Sequence, residues 1–307
     1  MKNMRIPLLV AWGVAVIGII LGSFLDLSIS QAIASPTNAF ALTVSAIGPT
    51  IGFGAVAVMG GGFIAFALKG KYHIVLKIGF FILAAACYFV AVWYPSGEYF
   101  GINGFYNPDL KWVGWLIVVP IEAGAVAGGY FLFKDFKNKN MWMVFCAIIV
   151  LLVIALLFII PTIKDNMHRP RFRAILAHNL EFHNWWQPCK NYEELMTKYQ
   201  IPEDNFKSYP SGHTAEATIF LVPTTFLPLA HDKFKKYQMP LFYGGCGLVL
   251  LVALARILAA AHFLSDVSWG ATIMLTLTII ANEVIMRIKA LQLKNENEEA
   301  PVEAPQE

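Results

Sequence analysis

Residues 147–173 read AIIVLLVIALLFIIPTIKDNMHRPRFR and pass directly from an apolar run into a cluster of basic side chains. The apolar residues belong to a stretch that covers about 141–161, and roughly 20 such residues are needed for a helix to cross a bilayer. The stretch therefore predicts a membrane helix with a dense positive charge at one end.

The rest of the chain has the same character. Of its 307 residues, 57% are hydrophobic and only 14% are charged, whereas charged residues make up about 25% of a soluble domain. We predict an all-α fold, a polytopic bundle of about eight transmembrane helices. The predicted spans cover residues 6–26, 45–68, 74–94, 113–134, 141–161, 211–230, 239–260 and 267–287.

The distribution of basic residues orients this bundle. Basic clusters lie at the amino end and after the second, fourth, sixth and eighth spans, while the segments 27–44 and 95–112 carry only Lys111. Because basic loops stay in the cytoplasm, both termini are expected there. A long outer loop, 162–209, then follows the fifth span, and loops of this length are usually functional.

Several features leave alternatives open. Residues 32–34, Ala-Ile-Ala, resemble a signal-peptide cleavage site, but the longer apolar run before them favours a retained span. Glu122, within the fourth span, is either functional or a protonated group bonded inside the bundle. Trp185 and Trp186 fit an interfacial anchor or a ligand contact.

The chain divides into a transmembrane domain, 1–292, and an acidic tail, 293–307. The tail has almost no apolar residues, so we expect it to be disordered and cytoplasmic. Cys87, Cys146 and Cys246 lie in apolar spans, and no cysteine spacing indicates a metal site.

The tetrapeptide PSGH at 210–213 opens a predicted span. Ser211 is a good helix N-cap, and Gly212 lets backbone amides approach an anion. His213 then lies within a turn of a phosphate held there. Pro-Ser-Gly is also ordinary turn chemistry, so the motif needs support from elsewhere.

That support comes from residues 256–266, RILAAAHFLSD. His262 and Asp266 share a face if this stretch is helical, and a carboxylate beside an imidazole orients it for nucleophilic attack. Arg256 would point about 120° away from His262 on a continuous helix. We therefore expect a break between them or an arginine that curls over the ligand; an Arg256–Asp266 ion pair is the structural alternative.

Lys164, Arg169 and Arg171 supply further positive charge. Arginine offers forked donors to phosphate oxygens and lysine a point charge. Attraction to anionic lipid headgroups would explain a basic cluster alone, but its combination with PSGH and R-x5-H-x3-D favours a phosphate site.

These motifs resemble those of the type 2 phosphatidic acid phosphatase superfamily, which also includes vanadium haloperoxidases and glucose-6-phosphatase. The family pattern is K-x6-RP, PSGH and SR-x5-H-x3-D. Two departures occur here: four residues rather than six separate Lys164 from Arg169, and Ala255 replaces the serine. His168 and Arg171 are therefore additional candidates.

The resemblance implies that His262 attacks phosphorus, Asp266 orients it and His213 protonates the leaving group. It also implies that five residues bind the phosphate oxygens and that the reaction needs no metal or other cofactor. These five are Lys164, Arg169, Ser211, Gly212 and Arg256.

We accordingly expect a multi-pass enzyme of a bacterial plasma membrane with its site on the extracytoplasmic face. Its partners would be the bilayer and a lipid phosphate or diphosphate, with no nucleic acid. Polyprenyl diphosphate, phosphatidylglycerol phosphate and phosphatidic acid all fit this geometry. The rivals are a lipid phosphotransferase with a non-water acceptor and a non-catalytic phosphate or lipid transporter.

Overall fold

The computed structural model describes residues 3–98, 111–135, 139–230 and 234–298. Within these ranges the chain is helical without strands, as predicted. Nine of the described α-helices begin outside the long loop: α1 (Arg5–Ile33), α2 (Ala39–Lys69), α3 (Ile74–Glu98), α4 (Lys111–Phe133), α5 (Lys139–Met167), α8 (Gly212–Ile219), α9 (Pro223–Ala230), α10 (Gln238–Leu258) and α11 (Leu264–Glu298). The α-helices within the loop are α6 (Phe172–His178) and α7 (Tyr192–Tyr199).

Seven of the described helices are long and apolar enough to cross a membrane. Their outer surfaces are apolar: Ile6, Val10, Val14 and Ile17 of α1 are all more than half exposed. Exposed apolar surface on this scale is not typical of a soluble monomer but suits contact with lipid. The chain is therefore a polytopic helical membrane protein.

The predicted sixth span differs from the others. Residues 211–230 form two short helices, α8 and α9, separated by a turn at 220–222. The second helix begins at Pro223, and a proline disfavours helical geometry at the residue before it. Neither short helix reaches the length of a membrane span by itself.

Helix α8 lies at the centre of the bundle, against α2, α10 and α11. Two glycines permit this close packing. A Cβ on Gly52 of α2 would lie 2.4 Å from the carbonyl oxygen of Glu216, and one on Gly270 of α11 would lie 2.3 Å from that of Ser211. The backbone of α8 and its N-cap residue is thus held directly between two long helices.

The long loop is folded. It contains α6, α7 and a 3-10 helix (Glu203–Phe206), which surround a small apolar core that includes Leu180, Cys189 and Phe206. We call residues 172–209 the cap. At the other end of the chain, α11 continues to Glu298, and residues 299–307 of the predicted disordered tail lie outside the described residues.

Candidate active site

The predicted residues come from five places in the chain. Lys164 is near the end of α5, Arg171 precedes α6, Arg256 is in the last turn of α10, and His262 and Asp266 flank the start of α11. The PSGH motif supplies the start of α8. The fold brings these five segments of the chain together.

The connection between α10 and α11 contains a break between Arg256 and His262, which is one of the two arrangements expected from the sequence. Helix α10 ends at Leu258 and α11 begins at Leu264, and Ala260 has a left-handed backbone with φ 52°, which is uncommon for a residue other than glycine. The amide of His262 donates to the carbonyl of Arg256 over 3.2 Å. His262 therefore precedes the helix, and the condition for a shared helical face with Asp266 is not met.

The imidazole of His262 is held by a backbone oxygen. Its Nδ1 lies 2.6 Å from the carbonyl oxygen of Ser208 and 3.9 Å from Oδ2 of Asp266. A carbonyl can only accept a hydrogen bond, so Nδ1 carries the proton and Nε2 has the lone pair. Nε2 is buried and has no hydrogen-bond partner in the described part of the protein.

The carboxylate of Asp266 is fully engaged elsewhere. Oδ2 accepts from the hydroxyl of Ser208 over 2.5 Å and from the amide of Phe263 over 2.9 Å. Oδ1 accepts from Nη1 of Arg169 over 2.5 Å. Asp266 thus closes the first turn of α11, as the acid of a capping box does, and it forms a buried ion pair with Arg169.

The start of α8 has the predicted form. Ser211 is its N-cap, and the hydroxyl oxygen accepts from the amide of Thr214 over 3.4 Å. A Cβ on Gly212 would lie 3.7 Å from Nζ of Lys164. The amino end of α8 and the Lys164 ammonium therefore face one another across a space wide enough for a small group.

Positive charge converges on His262. Burial lowers the pKa of His262 well below 6.5, and the charges of Arg256, Arg171, Lys164 and His213 lower it further, in that order. The imidazole is consequently neutral at pH 7. Residues from the motifs that are separated in sequence therefore contribute to the electrostatic surroundings of His262.

Two arginines of the basic cluster have different surroundings. Arg169 is fully buried, and its guanidinium donates to Asp26, Ser265, Asp266 and the carbonyl of His183. Arg171 instead contributes to the positive charge that acts on His262, and it donates to the carboxylate of Asp204 over 2.7 Å. Its position also satisfies the family spacing, because six residues separate Lys164 from Arg171, which favours this additional candidate as a phosphate ligand.

Asp204, which accepts a hydrogen bond from Arg171, was not predicted from the sequence. Burial would raise the pKa of Asp204, but the charges of Arg171 and Arg173 outweigh it and lower the pKa to about 2. His168, a further candidate, stacks on Tyr192 with ring centroids 3.5 Å apart. Trp185 donates to the hydroxyl of Ser23 over 3.0 Å, which connects the cap to α1, whereas Trp186 is exposed.

Comparison with known families identifies this region. A family model, the PAP2 superfamily, matches residues 146–289, a range that contains every predicted site residue. Comparison with curated proteins and with solved structures gave no significant match. The family match indicates phosphatase activity in general terms and agrees with the resemblance to type 2 phosphatidic acid phosphatases. Residues 146–289, which hold the whole candidate site, therefore match the PAP2 superfamily.

Proposed function

We propose that this protein is a metal-independent membrane lipid phosphatase that works through a phosphohistidine on His262. One observation carries the proposal: Nδ1 of His262 is fixed by the Ser208 carbonyl, while Nε2 is buried without a partner in the described residues. A neutral imidazole held in one tautomer, with a free nitrogen among cations, is suited to nucleophilic attack on phosphorus.

In the first step, Nε2 of His262 attacks phosphorus and the bond to the lipid oxygen breaks. His213 donates a proton to the departing oxygen. Lys164, Arg171 and Arg256 stabilise the charge that spreads over the equatorial oxygens, and the start of α8 at Ser211 and Gly212 adds backbone donors. Fixed cations take the place that magnesium has in many phosphoryl transfers.

In the second step, water attacks the phosphohistidine and His213 accepts its proton. The phosphorus–nitrogen bond breaks, which releases inorganic phosphate and restores neutral His262. While phosphorylated, the ring is cationic. Asp266, 3.9 Å from Nδ1, stabilises this cation by its charge.

The substrate we propose is a lipid phosphate or diphosphate of the polyprenyl diphosphate, phosphatidylglycerol phosphate or phosphatidic acid type. Three of the site-bearing helices, α5, α10 and α11, are long enough to span a bilayer, and the site lies at their ends. A headgroup can therefore enter the cationic site while its chains remain in lipid. From the distribution of basic loops, we infer that this face is extracytoplasmic and both termini are cytoplasmic.

The test is phosphate release by the purified protein from each of these lipids in the presence of EDTA. We expect at least one to be hydrolysed, and His262→Ala to bind orthophosphate but release none. Loss of all activity on chelation would contradict the metal-free mechanism. Turnover that requires an added sugar or lipid hydroxyl would assign the protein as a phosphotransferase, and undiminished function of His262→Ala would favour a transporter.

A further inference from the structure

Helix α1 lies outside the matched family region, yet one of its side chains enters the hydrogen-bond network behind the active site. Asp26 is 2% exposed. Its Oδ2 accepts from Nη2 of Arg169 over 2.9 Å and from the hydroxyl of Ser265. Its Oδ1 accepts from the amide of Ser265 over 2.9 Å.

These bonds give Asp26 two simultaneous roles. The amide of Ser265 is in the first turn of α11, where backbone donors have no partner within the helix, so Asp26 caps α11 from a different helix. Its negative charge also favours the positive end of the α11 dipole. The same carboxylate neutralises part of the buried Arg169 guanidinium.

Arg169 in turn is held on every side. It bridges Asp26 and Asp266 through its two terminal nitrogens, and its guanidinium carbon lies 4.2 Å from the ring centre of Phe263 and 5.4 Å from that of Phe182. A guanidinium packed against two aromatic rings and paired with two carboxylates is fixed in its orientation. Moving either carboxylate must therefore move the other.

The packing of α1 on α11 is built for this contact. A Cβ on Gly22 would lie 2.6 Å from the amide nitrogen of Ser265, and one on Gly18 would lie 2.3 Å from Oγ of Ser268. Gly22 excludes any larger residue while the helices remain this close, because the added atom would meet backbone, and small residues four apart allow such an approach in lipid. The glycines bring Asp26 within reach of α11.

The network continues to His262. Asp266 accepts from the hydroxyl of Ser208, whose carbonyl holds Nδ1 of His262. The amide of Ser208 also donates to the carbonyl of Arg169 over 3.1 Å. A chain of direct contacts therefore runs from Asp26 through Arg169 to the residue that fixes the imidazole.

We propose that Asp26 is a positioning residue of the active site, so that α1 completes the catalytic apparatus as well as spanning the membrane. The effect on catalysis that we expect rests on the proposed function. Asp26 acts through Arg169 and Asp266, and it has no contact with the phosphate-binding side chains among the described residues. Its loss should therefore change the rate of the chemical step and leave substrate binding intact.

The experiment compares Asp26→Asn with wild type, with Glu122→Gln as the matched control. Glu122 is another fully buried carboxyl in a span, and its oxygens have no hydrogen-bond partner in the described residues. We expect Asp26→Asn to lower kcat by about 10- to 100-fold, the loss typical of groups that orient a catalytic ligand, with KM within about threefold. Glu122→Gln should retain wild-type kcat and KM.

A second readout does not need turnover. The ring nitrogens of His262 can be followed by 15N NMR of histidine-labelled protein and assigned with His262→Gln. We expect these resonances to shift in Asp26→Asn and to stay in place in Glu122→Gln. If wild type hydrolyses no lipid phosphate, the proposed function fails, and the ring resonances alone decide whether Asp26 positions His262.

If Asp26→Asn does not fold, the same measurements can be made on Asp26→Glu. It keeps the charge pair with Arg169 but displaces the carboxylate by one methylene, so it should fold and show a smaller loss of kcat with unchanged KM. Unchanged kcat and unchanged His262 resonances in the folded variant would overturn the inference. A raised KM with normal kcat would also overturn it, because it would assign Asp26 to substrate binding.

Discussion

Nδ1 of His262 is hydrogen-bonded to the carbonyl oxygen of Ser208 at 2.6 Å and is 3.9 Å from Asp266. The tautomer of the candidate nucleophile is thus set by the backbone, and the carboxylate acts on it through charge and through Ser208. Contacts of this kind distinguish the residues that bind phosphate from the residues that position them.

Ser208→Ala tests the link between the carboxylate and the backbone. The change removes the hydroxyl that donates to Asp266 over 2.5 Å but keeps the carbonyl that holds His262. Loss of a hydrogen bond to a buried carboxylate should cost about 1.5–3 kcal/mol of unfolding free energy, while the His262 tautomer is retained. Thermal unfolding and kcat measure the two effects; a loss of kcat as large as that of His262→Ala would contradict this division.

Arg169 and Arg171 should respond differently to replacement by glutamine. Arg169→Gln leaves Asp26 and Asp266 buried without their cation, and breaking a buried ion pair costs about 3–5 kcal/mol of stability. Arg171→Gln removes a charge-assisted contact to phosphate worth about 1.5–3 kcal/mol, so kcat/KM should fall by about 10- to 100-fold while the fold is retained.

Unfolding curves and steady-state kinetics of the two variants provide the comparison. The opposite pattern, a stable Arg169→Gln protein with weakened substrate binding, would make Arg169 the phosphate ligand that the RP dipeptide suggested.

The pH dependence of the first chemical step follows from the pKa of His262. Burial and the neighbouring cations lower that pKa well below 6.5, and only the neutral ring is a nucleophile. Rapid-quench measurements should therefore show a constant rate of phosphohistidine formation from neutral pH down to 6.5, with a fall only at lower pH. A half-maximal rate at or above pH 6.5 caused by His262 would contradict the structure.

The same pKa has a consequence for stability. The unfolded chain binds a proton on this histidine near pH 6.5 and the folded protein does not, so the unfolded state binds more protons below that pH. Acidification from 6.5 toward the lowered folded pKa should accordingly destabilise the protein. His262→Gln should lose this part of the pH dependence of thermal unfolding.

Gly212→Ala tests the space beside Lys164. The added methyl would lie 3.7 Å from Nζ of Lys164 and 3.8 Å from Oε1 of Glu216, which are ordinary contacts, and alanine is the better helix former by about 1 kcal/mol. The variant should fold normally but obstruct the phosphate, which raises KM by about tenfold or more. Gly124→Ala, whose methyl meets nothing within 4 Å, is the control; equal KM values in the two proteins would place the phosphate elsewhere.

Much of the architecture follows from hydropathy. Runs of apolar residues predict the helical membrane bundle. On a continuous helix Arg256 and His262 would point about 120° apart, which predicts either a break before α11 or an arginine that curls over the ligand. The predicted sixth span, which forms the two short helices α8 and α9, also resembles a membrane helix less than the other spans do, because it contains Pro223 and Pro228. These features depend on local sequence, which explains why they can be read from it.

The supporting contacts could not be predicted in this way. Ser208 holds the imidazole of His262 through its backbone carbonyl oxygen, which every residue has. The identity of its side chain therefore does not indicate this contact. Asp26 pairs with a residue 143 positions away, and only the packing of α1 on α11 brings the two together. Arg171 was identifiable from the spacing to Lys164, but the adjacent Arg169-Pro170 matched the family dipeptide more conspicuously.

The proposed mechanism requires His262 to carry the phosphoryl group during turnover. An alkaline quench of the enzyme during turnover of a lipid phosphate labelled with 32P can show this, since phosphohistidine survives alkali and the labelled peptide can then be identified. We expect label on His262 in wild type and none in His262→Gln. Label on a different residue, or substrate turnover by His262→Gln at the wild-type rate, would contradict it.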